Sequence, residues 1–111
     1  MGKYATYRLR GGGQVLHSAL PSPPAPLLYT DAGRLWANSA CVDNLDGDSE
    51  LWVSEDGLTG WDYVASKDWA ASEDWGDLAE FEPDYYRCRD IGNGLDYVGI
   101  GEWSNVVRCE V

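Results

Sequence analysis

Tyr85-Tyr86-Arg87-Cys88-Arg89 and, one loop later, Gly101-Glu102-Trp103-Ser104-Asn105-Val106-Val107-Arg108-Cys109-Glu110-Val111 decide how this 111-residue chain is read. The first run alternates apolar and arginine side chains with a period of two, as a strand with two unlike faces does. Working back towards the N-terminus, the same period returns in residues 34–42. Leu35, Ala37, Ser39 and Cys41 share one face there, and Trp36, Asn38, Ala40 and Val42 share the other. Shorter strand-like segments at residues 50–53 and 62–65 are bounded by Asp43-Asn44-Leu45-Asp46-Gly47-Asp48 and by Ser54-Glu55-Asp56-Gly57-Leu58-Thr59-Gly60-Trp61, both turn-forming by composition. An Asp31-Ala32-Gly33 turn follows Leu27-Leu28-Tyr29 in the same manner. The expected fold class is all-β.

Length allows one domain with a real core and no second one. Six Trp and seven Tyr against a single Phe favour strands and contact surfaces, where amphipathic rings do well. No apolar run reaches the eighteen or so residues that span a bilayer, and no signal-peptide pattern opens the chain, so a soluble protein without an export signal is expected.

Net charge is −11, unevenly placed. Residues 1–40 hold four basic side chains and Asp31, whereas residues 41–111 hold four basic and eighteen acidic ones. A basic end is joined to an acidic body, which is expected to repel nucleic acid. Within residues 3–10, Tyr4, Thr6, Arg8 and Arg10 fall on one side of an extended segment and Ala5, Tyr7 and Leu9 on the other. Gly11-Gly12-Gly13 then supplies a hinge and Pro21-Ser22-Pro23-Pro24-Ala25-Pro26 a stiff spacer. Residues 1–24 are expected to form a basic arm and connector, and residues 25–111 the body. Lys3, Tyr4, Tyr7, Arg8 and Arg10 are the arm's candidate partner-binding residues.

Residues 66–82 are the least legible. Ser66-Lys67-Asp68-Trp69-Ala70-Ala71 and Ser72-Glu73-Asp74-Trp75-Gly76-Asp77 repeat a six-residue pattern in which a helical turn capped by Ser66 or Ser72 is expected. The segment is read as a crossing between two sheets. Trp69 and Trp75 are the remaining candidate contact residues, at least one of them exposed as an anchor, with a lid over one end of the domain as the alternative.

Three cysteines leave at least one free thiol in a monomer. Three buried, reduced thiols acting as small hydrophobes are the expected state without an export signal. No Cys-x-x-Cys spacing suggests zinc. The Asp43, Asp46, Asp48, Glu50 group has a calcium loop's carboxylate density but not its alternating ligand order, and reads as a turn.

Several of these motifs resemble known families. Cys41, Trp52 and a Tyr86 two residues before Cys88 resemble the order of the immunoglobulin fold, which implies Trp52 in the core and allows a Cys41–Cys88 bridge between sheets. Phe81-Glu82-Pro83-Asp84-Tyr85-Tyr86 followed by Arg-alternating strand, and Gly101-x-x-Ser104-x-x-Val107, resemble fibronectin type III domains instead. Both resemblances imply a two-sheet sandwich over roughly residues 26–111, with Val107, Cys109 and Val111 turned inward. Ser54-x-Asp56-Gly57-x-Thr59-x-Trp61 is similar to the Asp-box hairpin, in which the Asp caps a turn and carries no catalysis.

His17 is the only histidine and has no triad partners nearby in sequence; no phosphate-cradling Gly-rich loop is present. No catalytic residue, cofactor or metal is expected. The reading that the resemblance favours is a non-enzymatic accessory protein of a bacteriophage particle, a capsid-decoration, neck or tail-surface module made in the host cytoplasm. It would bind neighbouring virion subunits through arm and sandwich edge. The alternatives are an extracellular carbohydrate-binding or cell-surface module with exposed Trp61, Trp69 or Trp75, and an acidic DNA mimic. Membrane insertion is not expected.

Overall fold

The computed structural model describes residues 20–41 and 47–110. They form seven strands, β1 (Leu27–Asp31), β2 (Arg34–Asn38), β3 (Asp48–Ser54), β4 (Asp62–Asp68), β5 (Glu73–Asp77), β6 (Tyr85–Ile91) and β7 (Val107–Arg108), with one 3-10 turn at Leu78–Glu80. All pairings are antiparallel, in a three-stranded sheet ordered β1-β2-β5 and a four-stranded sheet ordered β4-β3-β6-β7. The domain is an all-β, two-sheet sandwich. No helix among the described residues is long and apolar enough to cross a membrane. The arm residues Lys3, Tyr4, Tyr7, Arg8 and Arg10, and Val111, lie outside the described residues.

Local chemistry sets the turns. Asp31 pairs with Arg34, so Ala32 and Gly33 alone connect β1 to β2, at φ of 52° and 75°. Two left-handed residues make the hairpin turn whose twist matches its strands. The period-two face of β2 reaches the core as expected: Leu35 and Ala37 are buried, and the same parity carries on through buried Ser39 and Cys41. Leu28, Leu35, Ala37, Leu51, Trp75, Leu78, Tyr86, Cys88 and Cys109 form the core, with Val53, Ala65, Phe81 and Val107 packed against it. Tyr86 donates its hydroxyl to the Glu82 carbonyl at 3.1 Å, tying the start of β6 to the chain that leads into it.

Three expectations need correction. Trp52 is not a core residue. It pairs with Arg87 and is half-buried on the outer face of the four-stranded sheet, while its neighbour Leu51 pairs with Cys88 and points inward. Trp69 and Trp75 are both buried, at 2% and 8% exposure, so neither is the exposed anchor, and Trp69 takes the alternative place of a lid. No helical turn starts at Ser66 or Ser72: β4 runs on through Ser66 to Asp68, and the chain crosses to the other sheet and forms β5. The thiols of Cys41, Cys88 and Cys109 are all free and buried, and the Cys41–Cys88 bridge that the immunoglobulin likeness allows is not formed. The crossing itself, and the buried reduced thiols, are as expected.

Trp69 closes one end of the sandwich. Its indole N–H donates to the Asp48 carbonyl at 2.7 Å, its ring meets Tyr97 edge-on at 6.1 Å, and it lies against Gly47, where a Cβ would come within 2.2 Å of the ring. The connector also packs on this end. The carbonyls of Pro21 and Pro23 accept from Val98 and Glu102 at 2.9 and 3.1 Å, and Pro23 is buried. Pro21 and Pro23, which fall inside the segment read as arm and connector, therefore pack on the body.

Candidate interaction surface

Residues that alternate out of the core along β6 build the outer face of the four-stranded sheet. Tyr86, Cys88 and Asp90 point inward, so Arg87 and Arg89 point outward on the same side, two residues apart. The Arg87 guanidinium sits 4.1 Å from the Trp61 ring centroid and 3.8 Å from that of Trp103; Arg89 sits 4.3 Å from Trp103 and 5.1 Å from Trp52. The order is Trp61, Arg87, Trp103, Arg89, Trp52, with Tyr63 closing the row edge-on to Trp52 at 5.8 Å. Glu50 anchors one end, accepting from Arg89 Nε at 2.9 Å and from the Trp52 indole at 3.0 Å. Desolvation lowers the Arg87 pKa, and the nearby Arg89 charge adds to that. Each ring-cation pair contributes roughly 0.5–2 kcal/mol, so the row is held together as a pavement of alternating rings and guanidinium groups.

This arrangement bears on sugar stacking, which needs free, coplanar ring faces. Trp103 is held between two guanidinium groups and Trp61 stacks on Arg87, while Trp69 and Trp75 are buried. Trp103 and Tyr63, which the sequence reading did not propose as contact residues, and Trp52, which it placed in the core, lie with Trp61 on this outer face. The Arg87/Arg89 alternation was the available signal for them, because whatever pairs with those arginines shares their face.

The edges of the two sheets differ in how they are finished. On β1, the Asn105 side chain takes the place of a neighbouring strand, accepting from Leu28 N at 3.0 Å and donating to Leu28 O at 2.8 Å. On β5, Lys67 Nζ donates to the Asp74 carbonyl at 2.6 Å. β7 has two residues. β4 has seven, is hydrogen-bonded to β3 alone, and is exposed at every position but Ala65.

Beside the start of β4 lies a half-open groove of about 440 Å³ lined by Val53, Ser54, Glu55, Asp56, Thr59, Gly60, Asp62 and Asp84. Asp56 is occupied with the turn: its carboxylate accepts from Leu58 N, Thr59 N, Thr59 Oγ1 and Ser54 Oγ at 2.8–2.9 Å. Those bonds, led by the backbone ones, hold its pKa well below the usual carboxylate range. It is the turn cap that the Asp-box likeness implied. None of Glu55, Asp56, Asp62 and Asp84 is ion-paired among the described residues.

A second acidic group is buried between the sheets. Asp90 is fully buried on β6 and accepts from Ser39 Oγ at 2.6 Å and Ser49 Oγ at 2.5 Å. Glu73 on β5 is 4% exposed, and neither of its carboxylate oxygens has a hydrogen-bond partner. Burial pushes its pKa up to about 7, the Asp90 carboxylate adds to the effect, and Lys67 opposes it. Ser49 gives little relief, since its single hydroxyl hydrogen is committed to Asp90. Burial raises the Asp90 pKa as well.

No protein-family model matches the sequence, and no curated protein does.

Proposed function

We propose that this chain is a non-enzymatic accessory protein of a bacteriophage particle, a fibronectin type III-like module that attaches to neighbouring protein subunits through its N-terminal arm and sandwich edge. The observation that carries the reading is β4, a seven-residue strand bonded on one side only and exposed almost throughout. Open edges of this length are usually shortened, covered or guarded, because they recruit other strands. β4 is neither short nor covered, and its Asp62, Lys67 and Asp68 deter indiscriminate pairing while leaving the edge to a strand of complementary charge.

The strand order supports the fibronectin type III likeness over the immunoglobulin one. Constant-type immunoglobulin sheets place the fourth strand with the first, second and fifth. Here the fourth strand pairs with the third instead, giving three strands against four. The hydroxyl of Tyr86 bonded to the Glu82 carbonyl is a corner found in such sandwiches.

Co-sedimentation tests the proposal. Removing residues 1–20 is expected to leave a β-rich body by circular dichroism that no longer sediments with the phage particle. Unfolding on truncation, or undiminished co-sedimentation, would refute the attachment role of the arm.

A further inference from the structure

We infer that the open edge of β4 receives residues 3–10 of a second copy of this chain, so that copies join head to tail; this rests on the reading above, in which arm and edge are the attachment elements. Availability is the first argument. β1 is capped by Asn105, β5 by Lys67, and β7 is too short to template a strand. The eight residues from Lys3 to Arg10 match the seven of β4 in length, and main-chain hydrogen bonds along such a pairing supply affinity without sequence-specific pockets.

Charge is the second. Lys3, Arg8 and Arg10 are the cations of the segment. β4 begins and ends with exposed Asp62 and Asp68, and the groove at its start adds Glu55, Asp56 and Asp84. Lys67, the one basic residue on β4, is drawn off to the Asp74 carbonyl and lies 5.7 Å from the Trp75 ring, so the edge keeps its negative character.

Continuity of the outer face is the third. Tyr63 ends the pavement of rings and guanidinium groups and is 54% exposed. An incoming strand with Tyr4, Thr6, Arg8 and Arg10 on one side would extend that row with the same side-chain types.

The connector and the β4 edge set the mode of joining. The connector docks by Val98 and Glu102, near the end of the sheet where Asp48 pairs with both Asp68 and Ile91. The groove lies at the other end, by Ser54, Asp62 and Asp84, roughly 20 Å away along β6 at about 3.3 Å per residue. The arm and the β4 edge, which runs from Asp62 beside the groove to Asp68 at the connector end, are different surfaces, so each contact is heterologous and leaves an arm and an edge for the next copy.

Sedimentation velocity on the purified full-length chain, over about a thousandfold range of concentration, tests this. Sedimentation coefficients are expected to rise with concentration past the dimer. K3E/R10E, whose two positions are spaced nearly as Asp62 and Asp68 are along a strand, and D62K/D68K should each weaken association at least tenfold with unchanged circular dichroism, and the four changes combined in one chain should restore it. Association undiminished by K3E/R10E overturns the assignment of the occupant. A native chain that stays monomeric overturns self-assembly while leaving attachment to other subunits to be judged by the particle experiment, so the two failures are told apart.

Discussion

Arg87 stacks its guanidinium 3.8 Å from the centre of the Trp103 ring, and that contact joins β6 to the loop that follows it. A planar, weakly hydrated cation suits this position and a compact ammonium does not. Arg87→Lys keeps the charge and loses most of the stacking, so it is expected to destabilise the domain by about 1 kcal/mol, and Arg87→Ala by more. Urea unfolding followed by near-ultraviolet circular dichroism checks this. Equal stability of the Lys variant and the native protein would show that charge alone holds the row.

Glu73 makes stability fall as pH rises. Its folded-state pKa of about 7 lies above its ordinary value of 4.5, so between those values the folded protein holds a proton that the unfolded chain has released. Stability from this group is full below about 4.5 and is lost as pH climbs through about 7, at up to roughly 1.4 kcal/mol per pH unit. The raised Asp90 pKa acts in the same direction. Asp56, with its pKa lowered, acts oppositely, but only under more acidic conditions. The urea midpoint is expected to fall from pH 5 to pH 8, and Glu73→Gln to flatten that decline and raise the midpoint at pH 8. A native midpoint that rises over this range would mean that Glu73 stays ionised with a partner.

The three thiols should be unreactive in the folded protein. Burial pushes Cys88 up to about 12 and Cys41 and Cys109 up to about 11, which leaves almost no thiolate at pH 8. Iodoacetamide is expected to label none of them within an hour in native buffer and all three in urea, as read by intact mass. Rapid native labelling at any one site would reveal local opening around it.

What the sequence made legible follows from how unambiguous each alternation is. Leu35, Ala37, Ser39 and Cys41 alternate with bulkier or polar neighbours, and Tyr86 and Cys88 with arginines, so the inward face of each segment is evident. Leu51-Trp52-Val53 is apolar at three successive positions, and period two cannot say which points inward. The partner strand decides: Leu51 opposes Cys88 and Trp52 opposes Arg87. β5 was hidden for a related reason, since its inward residues are Trp75 and the acidic Glu73 in a Glu-Asp-Trp-Gly-Asp run with poor strand propensity. The outer pavement needed cross-strand register, which no single segment contains; the open edge of β4 needed the strand order.

Gly47 and Trp69 are 22 positions apart, and their contact leaves no room for a side chain at residue 47. A Cβ at residue 47 would lie 2.2 Å from two atoms of the Trp69 ring, far inside any tolerable contact. The ring cannot step aside cheaply, because its N–H is bonded to Asp48 O and its own backbone N–H to Gly47 O at 2.9 Å. Gly47→Ala is therefore expected to expel the indole, losing both burial and hydrogen bond, at a cost of about 3–5 kcal/mol, similar to deleting a buried Trp. Tryptophan emission should shift to the red, and hydrogen exchange should speed up at the Asp48 end of β3 before the rest of the sheet. Trp69→Phe, which keeps the ring packing and drops the N–H bond, is expected to cost less and to leave the emission of the remaining tryptophans unchanged. If Gly47→Ala keeps native emission and stability, the lid does not seat against Gly47.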